Sequence, residues 1–103
     1  MVHRRLEKIE TQIEEIKREL LAIGEMRPGS LTRQHRKGCT RGEYYQLSYT
    51  HRMKGKTEYV RAKFAAMVRT QIATFHRFRK LNDRWVRLAI IYAQVKMRLE
   101  KND

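Results

Sequence analysis

Between Ala62 and Leu99 the chain contains neither glycine nor proline. A run of that length without a breaker predicts one very long helix over 62–100, or two helices joined by a slight bend. Its apolar residues fall in two phases. Phe64, Val68, Ile72 and Phe75 form the first, and Phe78, Leu81, Trp85, Leu88, Tyr92, Val95 and Leu99 the second. The second phase keeps a strict three-four rhythm, which is the heptad seam of a paired helix. The phases join through a three-residue step, so the buried face is expected to rotate near Phe75–Phe78. Trp85 and the aromatics from Phe64 to Phe78 are expected to be core.

A matching stripe stands at the other end of the chain. Leu6, Ile9, Ile13, Ile16, Leu20 and Ile23 repeat with the same alternation, predicting a helix over 3–24 about 33 Å long. Gly24 is read as its stop, and Pro28 with Gly29 as the completed break. Two seams of equal rhythm and similar length are expected to pair as an antiparallel hairpin. The same heptads also suit a coil between two copies, and no polar residue within them selects one arrangement.

The segment between the helices has a different character. Leu31, Thr32 and Gln34 begin a short extended run, and Lys37–Gly42 holds two glycines and reads as a turn. Tyr44–Thr50 is rich in aromatic and β-branched residues with near alternation, which marks a strand. Tyr45, Leu47 and Tyr49 are expected to face a helix, and Gln46, Ser48 and Thr50 solvent. Met53–Lys56 is read as a second turn and Thr57–Arg61 as a third strand. The expected fold class is therefore α+β: a small three-stranded antiparallel sheet over 30–61, mounted on a coiled-coil-like helical hairpin with a long C-terminal helix, in a single domain of 103 residues.

Charge narrows the function. Lys and Arg number 24 against 11 Asp and Glu, a formal net charge of +13. The excess is uneven. Residues 1–26 carry five basic and six acidic side chains, residues 27–63 ten and two, and residues 64–103 nine and three. The first helix is thus close to neutral, and the positive field belongs to the sheet and the long helix. So large an excess repels itself in a compact fold, which points to a polyanionic partner.

Several classes of function fall away. No HExxH motif, paired CxxC or phosphate-cradling glycine loop occurs, and no nucleophile–base–acid set persuades, so neither an enzyme nor a cofactor is expected. His35, Cys39 and His51 are placed to meet across the sheet, but exposed polar side chains are the simpler reading, and no metal site is expected. Cys39 is the single cysteine, which excludes an intrachain disulfide and suits a reducing, cytoplasmic setting. No apolar stretch approaches a bilayer span, and Met1–Glu10 lacks the apolar core of a signal peptide.

The remaining constellation is basic and polar. Arg33, Arg36, Lys37, Arg41, Arg52, Lys54, Lys56 and Arg61 lie on or beside the strands, with Lys63 just beyond. They supply phosphate contacts, and Gln46 and Ser48, together with Arg33, are the candidates for reaching base edges in a groove. Tyr44, Tyr45, Tyr49 and Tyr59 are alternatives for stacking on unpaired bases. A second set, Arg77, Lys80, Arg84 and Arg87, repeats at three, four and three residues, a ridge about 15 Å long able to follow a phosphate backbone. An ordinary solvated face, paired with Glu7, Glu14 or Glu15, explains the ridge equally well.

The stretch Arg27-Pro28-Gly29-Ser30-Leu31, then Glu43-Tyr44-Tyr45-Gln46-Leu47-Ser48-Tyr49, Lys54-Gly55-Lys56 and Tyr59-Val60 resembles an uncharacterised prokaryotic family, a domain of unknown function. The likeness continues through Val68-Arg69, Gln71-Ile72 and Phe75–Phe78, covering roughly residues 26–95. Members carry a Gly-Ser-Leu start, a cysteine cluster, a Tyr-Tyr-x-Leu-Ser-Tyr strand and a long C-terminal helix. Many look like accessory proteins of insertion sequences or transposase loci. Cys39 alone stands where the family has its cluster, and Glu43 where it has a proline before the tyrosines.

Three functions are compatible with these features. Non-enzymatic binding of nucleic acid, DNA ahead of RNA, with the basic sheet as contact surface is the first, and the resemblance implies a mobile-element accessory factor. The second is a protein-interaction module, a homodimer or a helical partner of a transposase, nuclease or other acidic protein, including inhibition of a nucleic-acid-guided enzyme. Anionic membrane binding is the weakest, because the apolar stripe is needed for the hairpin.

Overall fold

The computed structural model describes residues 2–34 and 44–101. In chain order they form α1 (Val2–Leu21), β1 (Ser30–Gln34), β2 (Tyr44–His51), β3 (Lys54–Arg61), a short 3-10 turn (Ala62–Phe64) and α2 (Ala65–Lys101). The fold is α+β as expected, and α2 runs unbroken for 37 residues. The chain divides into two compact units, Met1–Ile23 with Arg77–Asp103, and Gly24–His76.

In the first unit the two heptad stripes meet each other. Ile9 and Ile16 of α1 and Leu81 and Val95 of α2 are buried. The Tyr92 hydroxyl donates to Glu10 Oε1 at 2.7 Å, and Lys17 Nζ sits 5.5 Å from the centre of the Trp85 ring. Moving seven residues up α1, from Glu10 to Lys17, moves the contact seven residues back along α2, from Tyr92 to Trp85. The pairing is therefore antiparallel and in step, as equal heptads require. The carboxylate of Glu10 raises the Tyr92 hydroxyl above its ordinary value, first through the hydrogen bond. Gly24 does not supply the expected stop. The last turn instead tightens, with the Ala22 N–H bonded to both Arg18 and Glu19 oxygens and Ile23 bonded to Leu20, a 3-10 closure of the orphan carbonyls.

The second unit holds the sheet, in order β1-β2-β3, with both pairs antiparallel. Leu47 is fully buried and clusters with Val60 and Val68, with Leu31, Tyr45, Tyr49 and Ile72 packed around them. Val68 and Ile72 belong to α2, so one sheet face is closed by the start of that helix, a standard requirement for a three-stranded sheet. Phe64 departs from its expected core position. It lies in the 3-10 turn, 42% exposed, and Ala65 is buried beside it instead. Three residues per turn at that point swing Phe64 outward, and Lys63 Nζ lies 5.0 Å over its ring.

The second turn is tighter than the glycine suggested. Lys54, Gly55 and Lys56 are strand residues, and the hairpin turns on Arg52 and Met53 alone. Both have positive φ, 53° and 65°, the pattern of a two-residue type I′ turn. That turn favours Asn-Gly, and each L-residue held there costs roughly 1–2 kcal/mol. Replacing Arg52→Asn and Met53→Gly together should raise stability by about 1–2 kcal/mol, read as a higher urea midpoint at unchanged slope. A lower midpoint would refute the strained turn.

Candidate nucleic-acid interface

Register decides which side chains share a face, because directly opposed residues point the same way. Leu31 opposes Leu47, Arg33 opposes Tyr45, Tyr45 opposes Val60, and Leu47 opposes Glu58. These lie on the face that α2 covers. Four rows occupy the other face: Gln34, Tyr44 and Arg61; Thr32, Gln46 and Tyr59; Ser30, Ser48 and Thr57; and Thr50 with Gly55. Ser30, Thr32, Gln46, Ser48, Thr50, Thr57, Tyr59 and Arg61 are all exposed. The expected split of β2 therefore holds, with Gln46, Ser48 and Thr50 toward solvent and Tyr45, Leu47 and Tyr49 toward the helix.

The expected grouping of Arg33 with Gln46 and Ser48 does not hold. Arg33 sits in register with Tyr45 on the opposite face, one residue out of phase with the polar rows. Lys54 and Lys56 oppose His51 and Tyr49 and share the parity of Val60. Arg61 is the one cation on the open face among the described residues. Arg52, Lys54 and Lys56 instead form a basic end to the β2–β3 hairpin, with Met53 at its tip, 98% exposed. Arg36, Lys37, Arg41, His35 and Cys39 lie outside the described residues.

Tyr44 and Tyr59 stack on the open face, ring centres 5.1 Å apart and planes 27° from parallel. Tyr59 is 66% exposed. They are diagonal neighbours on adjacent strands, the spacing at which aromatic pairs reach one another.

On the covered side, one carboxylate has two partners. Glu58 accepts from the Tyr49 hydroxyl at 2.9 Å and from Arg27 Nη1 at 3.2 Å. The Arg27 guanidinium also lies 5.0 Å over the Tyr49 ring, and the Arg27 N–H donates to the Gln71 main-chain oxygen at 3.2 Å. Gln71 Nε2 reaches Glu25 at 3.3 Å. The segment before β1 is thus tied to both sheet and helix. Sequence reading missed this cluster. The available signal was that Glu58 is the sole acid from Tyr44 to Arg61, so a nearby arginine had one carboxylate to choose.

The hydrogen bond from Tyr49, then that from Arg27, hold the Glu58 carboxyl below its ordinary value near 4.5. Donating that bond to the carboxylate raises the Tyr49 hydroxyl above its ordinary value. A carboxyl depressed on folding contributes stability that is complete above its unfolded value and lost as pH falls through the folded one. A raised hydroxyl contributes below its unfolded value and loses that contribution as pH rises through the folded one. The melting temperature of the native chain should therefore fall more steeply below about pH 4.5 than that of Glu58→Gln. Parallel acid limbs would deny Glu58 this role.

The ridge on α2 has a different setting. Arg87 Nε pairs with Asp83 at 3.3 Å on its own helix, and Glu14 pairs with Lys17 on α1. Arg84 and Arg87 border a shallow depression with Gln12, Leu88 and Ile91. Arg77 and Lys80 are exposed farther toward the start of the unit. Among the described residues, no group of three His, Cys, Asp or Glu side chains is placed to hold a metal ion, and no helix is long and apolar enough to cross a membrane.

Comparison with protein-family models, curated proteins and solved structures gave no match, so the chemistry of this surface rests on its own residues.

Proposed function

We propose that the protein is a non-enzymatic nucleic-acid-binding protein, DNA ahead of RNA, that uses the sheet and its hairpin end as contact surface. The observation that carries this reading is uncompensated charge. Glu58, the sole acid between Tyr44 and Arg61, is occupied by Arg27 and Tyr49. Arg52, Lys54 and Arg61 are exposed and take part in no ion pair among the described residues. Cations without an acidic partner among the described residues, beside exposed amides and hydroxyls, are suited to phosphates with base edges nearby. The resemblance of residues 26–95 to an uncharacterised family, many of whose members look like accessory proteins of insertion sequences, supports DNA and a mobile-element setting by association alone. Anisotropy titrations of labelled duplex DNA, single-stranded DNA and RNA at about 50 mM salt test the proposal. It fails if none of the three binds.

A specific feature favours a second reading. Val86, Ile90 and Met97 are each more than half exposed along α2, on a face distinct from the seam of Leu81 and Val95. Spaced four and seven residues apart, they form an apolar stripe of the kind a partner helix covers. A pull-down after nuclease treatment that yields one protein with the native chain, and loses it with Ile90→Glu, would favour this assembly role.

A further inference from the structure

The open sheet face separates two kinds of chemistry. Its rows hold amides, hydroxyls and a stacked tyrosine pair, while Arg52, Lys54 and Lys56 stand at the hairpin end and Arg61 at the other end, opposite Tyr44. A duplex presents phosphates outward and hides base faces, so it would meet this face with one described cation and no use for the rings. A single strand presents both. Its bases have faces to lay on an aromatic ring and free edges for amides and hydroxyls, and its phosphates can run to basic ends. Four rows at about 6.8 Å and three strands at about 4.8 Å give a platform of roughly 20 by 10 Å, enough for a short run of nucleotides.

Resting on the nucleic-acid reading above, we propose that the Tyr44–Tyr59 pair is a base-stacking platform that makes single-stranded DNA the preferred ligand. Tyr59, the more exposed ring, receives a base directly, and Tyr44 backs it at 5.1 Å. Gln46 directly opposes Tyr59, and Gln34 directly opposes Tyr44. Each amide carries both a donor and an acceptor at the height of a stacked base. Arg61, across from Tyr44, is placed for the adjoining phosphate.

The test is a titration of a labelled single-stranded DNA of about 12 nucleotides, a duplex of the same sequence and the matching RNA. The native chain, Tyr59→Ala and Tyr59→Phe are compared. The native chain is expected to prefer the single-stranded DNA. Tyr59→Ala should weaken that affinity about 5- to 150-fold, the loss of one stacked base, lower duplex affinity by less, and leave the circular dichroism spectrum unchanged. Tyr59→Phe, which keeps the ring, should stay within about twofold of native. The platform is overturned if Tyr59→Ala binds single strands like the native chain, if Tyr59→Phe loses as much as Tyr59→Ala, or if duplex or RNA binds more tightly. Any of these leaves general nucleic-acid binding standing, whereas no binding to all three probes removes both proposals.

Discussion

Raising salt from about 50 to 200 mM should lower the affinity of this protein for DNA by about two to three orders of magnitude. The figure follows from the cations beside the sheet. Arg52, Lys54, Lys56, Arg61 and Lys63 are the described basic side chains of the hairpin end, β3 and the turn after it. About five phosphate contacts give a slope of log affinity against log salt near −3.5 for a single strand and near −4.5 for a duplex. The triple variant Arg52→Gln, Lys54→Gln and Arg61→Gln should make the slope shallower by about 2 to 3 and weaken binding by a similar factor across sequences. Glutamine keeps side-chain length and hydrogen bonding, so the hairpin should persist. The matching triple on α2, Arg77→Gln, Lys80→Gln and Arg84→Gln, should change the slope less. If the α2 triple flattened the slope more than the sheet triple, the interface would move to the helix. Stability should run the other way, rising with salt as the net charge of +13 is screened.

The helices were legible because a heptad is a strong, redundant signal. Five apolar residues on α1, from Leu6 to Leu20, and seven on α2 had to find each other, and Ile9, Ile16, Leu81 and Val95 are buried as that logic requires. The sheet was legible through Tyr45, Leu47 and Tyr49, whose alternation fixed the covered face. The reading failed where local geometry outranked composition. Gly55 suggested a turn, yet the chain turns one pair earlier on Arg52 and Met53. Phe64 suggested core, yet a 3-10 turn rotated it outward. The site was only half legible for a related reason. Counting cations near the strands could not separate Arg33 from Gln46, because face depends on register and register is a property of the pairing. The Arg27–Tyr49–Glu58 cluster joins residues up to 31 positions apart, beyond any local pattern.

Gly29→Ala should destabilise the chain by about 2–5 kcal/mol, near the cost of emptying the core position it touches. Gly29 has φ of +143°, a conformation L-residues rarely adopt, and a Cβ built there would lie 2.5 Å from Leu47 Cδ1 and 3.3 Å from the Ser48 oxygen. The backbone penalty accounts for roughly 1–2 kcal/mol and the overlap for about 1–3. Leu47 cannot retreat, since it is fully buried against Val60 and Val68. Leu47→Ala alone should cost about 2–5 kcal/mol through lost transfer energy and a residual cavity. Combining the two distinguishes strain from crowding. The new methyl would enter the space the leucine vacates, so the double variant should be less unstable than the sum by about 1–2 kcal/mol. The φ strain and the Ser48 contact would remain, so rescue should be incomplete. Urea unfolding of the three variants gives the coupling directly, and simple additivity would mean the leucine side chain is not what excludes the methyl. The same seat bears on binding. Gly29 leads directly into the Ser30–Ser48 pair, and a one-residue slip there would exchange the two faces of β1 against β2. Gln34 and Thr32 would then leave the platform and Arg33 would join it. Gly29→Ala should therefore lose more single-strand affinity than its unfolded fraction explains, whereas a variant of equal instability placed in the α1–α2 seam, Ile16→Ala, should lose only that fraction.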